Sequence, residues 1–176
     1  MRDSDVLDKN PHISRSALEA IHDQVFGWAL SRCNYDRAAA EDLVQQSYVE
    51  LLAGKAKFEE RSTLKTFVFA VIQNLAKSRY RRMASRMRLV TAMAQDAGDE
   101  PAAETTAVEN PAVWQAVQRL PQRQRDIIEL VFCRDMTVED ASRVMGVTTG
   151  TGRVHYDRAK KTLRARLEDG RESNDE

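Results

Sequence analysis

The 176-residue chain balances 27 Lys and Arg against 27 Asp and Glu, and a 42% hydrophobic, 31% charged composition is globular rather than disordered. No apolar run reaches the ~20 residues that cross a bilayer, and MRDSDVLDKN has no apolar signal core, so no membrane insertion and a cytoplasmic location are expected. Cys33 and Cys133 form no CxxC pair, and His12, His22 and His155 are scattered. No metal, no cofactor and no catalytic set are therefore expected, which argues against an enzyme.

Nearly all of the pattern is helical. A first helix is expected over 13–33, where Leu18, Ile21, Val25, Trp28 and Ala29 recur at three- and four-residue steps. Asp36 reads as the cap of a second over 37–53, closed by Gly54, with Leu43, Val44, Tyr48, Leu51 and Leu52 as its apolar stripe. A third begins near Ser62 and runs through Leu64, Phe67, Val68, Val71, Ile72 and Leu75 into KSRYRRMASRMR. Residues 55–88 carry ten basic and two acidic side chains, a polyanion-binding candidate. No segment alternates as a strand would.

Residues 94–110, AQDAGDEPAAETTAVEN, are small, acidic and nearly free of bulky apolar groups, so a linker is expected. Helices resume at Pro111, a residue suited to a first turn. Leu120-Pro121 breaks the pattern, and Pro121 opens a helix through Ile127, Ile128, Val131 and Phe132. Thr137-Val138-Glu139-Asp140 has the form of a capping box with Asp in place of Glu. The short helix after it carries Ala141, Val144 and Met145 and ends at Gly146.

A capped short helix, the turn MGVTT and a cationic second helix form a helix-turn-helix pattern. On the second helix Gly152, Tyr156, Ala159 and Leu163 follow the spacing of a buried face. Arg153, Val154, Asp157, Arg158 and Lys161 then point outward, where arginine reads guanine or grips phosphate and valine meets a thymine methyl. Thr149 and Thr151 stand at the polarised helix start, which suits a phosphate. An ordinary helical hairpin with a solvated basic face is the competing reading.

Two blocks together resemble the extracytoplasmic-function sigma factors of bacterial RNA polymerase. AEDLVQQSYVELLAGKAKFEERSTLKTFVFAVIQNLAKSRYRR is similar to the family's region 2. WQAVQRLPQRQRDIIELVFCRDMTVEDASRVMGVTTGTGRVHYDRAKKTLRARL is similar to its region 4. The resemblance implies an all-α fold of two small domains, over 12–93 and 111–170, joined by the acidic linker 94–110. It implies a non-catalytic transcription initiation factor that binds polymerase core, at the β′ clamp helices and β flap, and promoter DNA. A helix-turn-helix regulator acting without core polymerase is the alternative.

The resemblance also assigns residues. Glu41, Asp42, Gln45 and Gln46 match the core-binding surface. Phe58, Arg61, Ser62, Thr63, Phe67 and Asn74 match the loop and helix that read the −10 region, with Lys77, Arg79, Arg81 and Arg82 holding phosphates. Of the two rings, Phe67 is expected in the core and Phe58, off that face, as the base platform. Thr149, Thr151, Arg153, Val154, Asp157, Arg158 and Lys161 fall in the −35 reader. Departures from the family include Gln46, where an acidic residue is common. Some relatives lacking that acidity are activated by a Ser/Thr kinase, which makes Thr63 a candidate phosphosite. An anti-sigma partner is common in the family.

Gly150-Thr151 matches the family's Gly-Thr, where a small residue lets backbone approach DNA or the bracing helix. Gly152 replaces a valine. It is expected either to make room for Tyr156 or to leave the helix start loose, and Gly152→Val to stabilise the domain.

Overall fold

The computed structural model describes residues 13–91 and 111–172. Among them every regular element is helical: α1 Arg15–Arg32, α2 Arg37–Leu52, α3 Leu64–Thr91, α4 Pro111–Gln118, α5 Gln122–Ile128, α6 Val138–Met145 and α7 Thr149–Glu172. The contacts separate into two compact units, one holding α1–α3 and the other α4–α7. The acidic 94–110 segment lies outside the described residues.

In the first unit each helix starts where a side-chain oxygen can take an orphan N–H. Ser14 Oγ accepts from Ala17 N at 3.1 Å, and Asp36 Oδ1 from Ala39 N at 3.0 Å. Thr63 Oγ1 accepts from Thr66 N at 3.1 Å, so Thr63, rather than Ser62, caps α3. With those starts fixed, the apolar stripes meet. Val25, Trp28 and Ala29 of α1, Leu43, Val44 and Leu51 of α2, and Val68, Phe69 and Ile72 of α3 are buried. Trp28 stacks on Phe69 with ring centroids 5.8 Å apart, and its indole N–H donates to the Phe69 carbonyl at 3.2 Å. A buried indole must find an acceptor, and here one bond ties α1 to α3.

The second unit is built around Val117, Leu120, Ile128 and Ala159, with Trp114, Tyr156 and Leu163 against them. The Arg125 guanidinium closes the α4–α5 turn, donating to the carbonyls of Gln118 at 2.6 Å and Leu120 at 3.2 Å. Beyond Ile128 the chain departs from expectation. Glu129–Cys133 forms a π-helical turn in place of a continued α-helix. The widened turn slips the register. Glu129 is buried and ion-paired with Arg134 at 3.2 Å, whereas Phe132, expected on the apolar stripe, is 60% exposed.

α6 starts and stops as its sequence signals, with one change. Thr137 Oγ1 accepts from Asp140 N at 3.1 Å. The Asp140 carboxylate takes the Thr137 hydroxyl at 2.9 Å instead of reaching back to a main-chain N–H. Its side chain is one methylene shorter than the glutamate of a capping box. At the other end Gly146 has φ +68°, with Gly146 N donating to Arg143 O and Val147 N to Ser142 O, a Schellman closure.

Trp28→Phe removes the α1–α3 hydrogen bond and part of the ring volume. It should lower unfolding free energy by about 1–3 kcal/mol in urea titrations.

Candidate nucleic-acid and protein interfaces

The helix-turn-helix is set by Thr148, which the sequence reading passed over. Its Oγ1 accepts from Thr151 N at 3.2 Å and lies 2.9 Å from the Thr151 hydroxyl, and its carbonyl accepts from Gly152 N at 2.9 Å. With that start, Gly152 and Ala159 are buried and Tyr156 and Leu163 half-buried against the unit's core. Arg153, Val154, Asp157, Arg158 and Lys161 all reach the surface, Val154 with 46% exposure. Thr151 is exposed but engaged with Thr148, and Thr149 is partly covered. Lys160, absent from the expected set, lies 3.7 Å from the Asp157 carboxylate and 4.5 Å from the centre of the Tyr156 ring. On the other flank Phe132 stacks near Tyr156, centroids 6.1 Å apart.

One glycine expectation narrows here and the other changes. A Cβ on Gly150 would meet nothing nearer than Thr148 Oγ1 at 4.0 Å, so no bracing helix demands that glycine. A Cβ on Gly152 would collide with Ser142 Oγ and stand 3.0 Å from Ser142 Cβ and 3.4 Å from Ile127 Cδ1. The space is reserved for Ser142 of α6, not for Tyr156. Gly152→Val should therefore destabilise the unit, reversing the sequence-based expectation.

In the first unit the cationic helix carries its expected residues on two sides. Helical spacing sets Thr63, Phe67, Asn74, Lys77 and Arg81 along one flank of α3. Asn74, Arg81 and Arg82 are exposed, and Lys77 is half-buried. Phe58 and Phe67 are not separated into platform and core. Both are half-buried, with ring centroids 5.1 Å apart, and form one aromatic pair beside the cap of α3. In the preceding loop Arg61 pairs with Glu59 at 3.0 Å, and the Ser62 hydroxyl donates to the Thr63 carbonyl at 3.3 Å.

Arg79 stands elsewhere. It sits four residues beyond Leu75 and seven beyond Ile72, on the buried flank, and its guanidinium donates to Gln46 Oε1 at 3.1 Å and Ala39 O at 3.3 Å. Two residues expected on different surfaces, one against polymerase and one against DNA, bind each other. Gln46 is half-buried and turned to α3, whereas Glu41, Asp42 and Gln45 are exposed on the outer arc of α2. Val49 shares that arc with 61% exposure, an apolar group among acidic ones that four-residue spacing from Gln45 could have revealed. Arg37 pairs with Glu41 at 3.1 Å across one exposed turn, a weak contact that a partner can displace.

Burial pushes the Cys33 thiol up, against the lowering field of Arg79, so it is no activated thiolate. Among the described residues no three His, Cys, Asp or Glu side chains cluster as metal ligands, and no helix is long and apolar enough to cross a membrane.

A helix-turn-helix in one unit, and a cationic helix packed beside an acid-faced one in the other, put the described residues in the class of all-helical proteins that carry a DNA-binding motif. Residues 17–86 match Sigma-70 region 2, and residues 111–163 match Sigma-70, region 4. The ECF RNA polymerase sigma factor EcfG of Rhodopseudomonas palustris is 31% identical over 134 residues, covering 76% of this chain and 73% of that protein. The chain belongs to the ECF RNA polymerase sigma factors. Two solved structures share the fold. The sigma factor RpoE of Bartonella quintana, in complex with the anti-sigma factor NepR, has a TM-score of 0.68 at 23% identity, covering 88% of this chain and 96% of that one. CnrH, in complex with the cytosolic domain of CnrY, has a TM-score of 0.59 at 18% identity, covering 93% and 95%.

The Arg79–Gln46 bond gives a direct check. In a double-mutant cycle, Arg79→Ala and Gln46→Ala should each lower first-unit stability, with a coupling of about 0.5–1.5 kcal/mol by thermal or urea unfolding.

Proposed function

We propose a division of labour for a chain whose family directs RNA polymerase to promoters. The second unit reads the −35 element through the outward row Arg153, Val154, Asp157, Arg158 and Lys161. Thr149 and Thr151 lie beside a phosphate at the helix start. What carries this reading is the burial of Gly152 and Ala159, which fixes the opposite row at the surface. The first unit takes the −10 region. Asn74, Arg81, Arg82 and Lys77 track the strand, Arg61, Ser62 and Thr63 border it, and the Phe58–Phe67 pair offers an aromatic edge to an extruded base. Arg79 is assigned to holding α3 on α2 rather than to phosphate.

Glu41, Asp42 and Gln45, with Val49, form the face for the basic clamp helices of β′, where acidic charge steers and an apolar contact holds. Gln46 supports that face from behind. The exposed Phe132 is assigned to the β flap. We read the protein as non-catalytic and, through its work on polymerase and DNA, as cytoplasmic. A helix-turn-helix regulator without core polymerase leaves the acid-faced α2 without a partner.

Regulation follows two routes. The sigma factor RpoE is held by the anti-sigma factor NepR and CnrH by the cytosolic domain of CnrY, and a comparable protein brake suits this chain. Thr63 is the second. Thr63 is exposed, its hydroxyl caps α3 and lies 2.9 Å from the Thr66 hydroxyl, and a phosphate there would put about −1.5 to −2 charges on the positive end of that helix dipole. Intact-mass measurement of active protein from its native cell tests this; uniformly unmodified protein removes the idea.

Runoff transcription with purified core polymerase tests the main reading, and absence of promoter-dependent initiation would overturn it. Arg153→Ala should weaken cognate promoter binding by about 1–3 kcal/mol while core affinity holds. Asp42→Lys should do the reverse, lowering core affinity in competition assays and leaving DNA contacts intact. Equal behaviour of both variants would dissolve the assignment.

A further inference from the structure

Gly152 is helical, with no positive φ, and its N–H makes an ordinary bond to the Thr148 carbonyl. Conformational freedom therefore does not explain it. Space does. Ser142 is fully buried on α6, and its hydroxyl donates to the Val138 carbonyl one turn back at 2.6 Å. Bonded that way, Ser142 Oγ occupies the volume where a side chain at 152 would stand. Turning the serine to another rotamer removes the Oγ collision but leaves Ser142 Cβ at 3.0 Å, tighter than ordinary carbon contact, with Ile127 Cδ1 at 3.4 Å behind it. With Ser142 in place, a side chain at 152 requires the contact between α7 and α6 to open by a few tenths of an ångström.

We infer that Ser142 and Gly152 are a matched pair of positioning residues that fixes how deeply the recognition helix seats, and so which bases its surface row reaches. The inference rests on the −35 reading proposed above. Arg153 and Val154 follow Gly152 directly, and Asp157 and Arg158 lie one turn further on. A shift of a few tenths of an ångström at 152 moves all four as a group. Base readout by bidentate side chains depends on position at that scale. The residues that touch DNA thus take their register from one that does not.

The pair predicts rescue by exchange, because only one of the two positions has room for a side chain. The full-length chain is compared as wild type, Gly152→Ala and the swap Ser142→Gly/Gly152→Ala. Amide hydrogen exchange over 148–158 reads the packing without any assumption about transcription. Gly152→Ala should speed exchange there at least about tenfold, and the swap should return it to within about threefold of wild type. Holoenzymes made with core polymerase are then ranked on −35 elements that wild type selects from a randomised library. Gly152→Ala should keep core affinity, initiate poorly and change its base preference, and the swap should restore the wild-type ranking.

Unchanged exchange in Gly152→Ala overturns the pairing. Altered exchange with an unaltered −35 ranking overturns the positioning role and leaves only a structural one. A swap that melts like wild type but keeps the shifted ranking also overturns it. Should the swap melt early, Ser142→Ala/Gly152→Ala serves instead, and its exchange must fall between those of Gly152→Ala and wild type. A wild-type holoenzyme with no promoter-dependent initiation would count against the sigma reading alone, because the exchange result stands apart from it.

Discussion

In a chain built of helices, the residue that starts each helix sets the phase of everything after it. Five helix starts here are set by a side-chain oxygen on an orphan N–H: Ser14, Asp36, Thr63, Thr137 and Thr148. Each cap is worth only about 0.5–2 kcal/mol. Its larger effect is on direction, because a helix begun one residue later turns its side chains by about a quarter of a circle. The burial of Gly152 and the exposure of Arg153 are consequences of where Thr148 stops the turn.

Much of this was legible because the sequence signals for caps and for buried faces are local. Asp36 and Thr137 read as caps, Gly146 as a stop, and the 152, 156, 159 and 163 row as an inner face, and the structure has all of them. Two of the three departures are non-local. Arg79 looked like another phosphate ligand because it lies in a run of cations. Its partners Gln46 and Ala39 are more than thirty residues away, and nothing within the run marks it. Its phase relative to Ile72 and Leu75 was the available clue. Phe132 fell on the wrong side because a π-helical turn breaks the 3.6-residue count, and composition does not announce such a turn. Gly152 looked like a loss of helix propensity because the serine that needs its space belongs to another helix.

The first unit carries one lesson about charge. Counting basic residues over 55–88 shows that the segment favours a polyanion, yet it does not show which cations are available to one. Of the four cations expected to hold phosphate, Arg81 and Arg82 are exposed and Lys77 half-buried, whereas Arg79 is turned to α2. The same bond explains Gln46. A glutamine that accepts from a half-buried arginine serves the inner packing of α2, so its lack of charge says little about how strongly the outer arc can bind a basic partner.

Zero net charge is an average over unlike parts. Residues 13–91 carry thirteen Lys and Arg against eight Asp and Glu, and residues 111–172 carry twelve against nine, so both stretches are cationic and the balancing acids lie outside them. The acidic face of α2 is therefore a local patch on a net-positive unit, packed beside the basic flank of α3. A patch of that kind is felt at contact, where the nearest charges outweigh the sum. Contacts such as Arg79 with Gln46 and Ser142 with Gly152 then matter more than the charge total for which groups each surface presents.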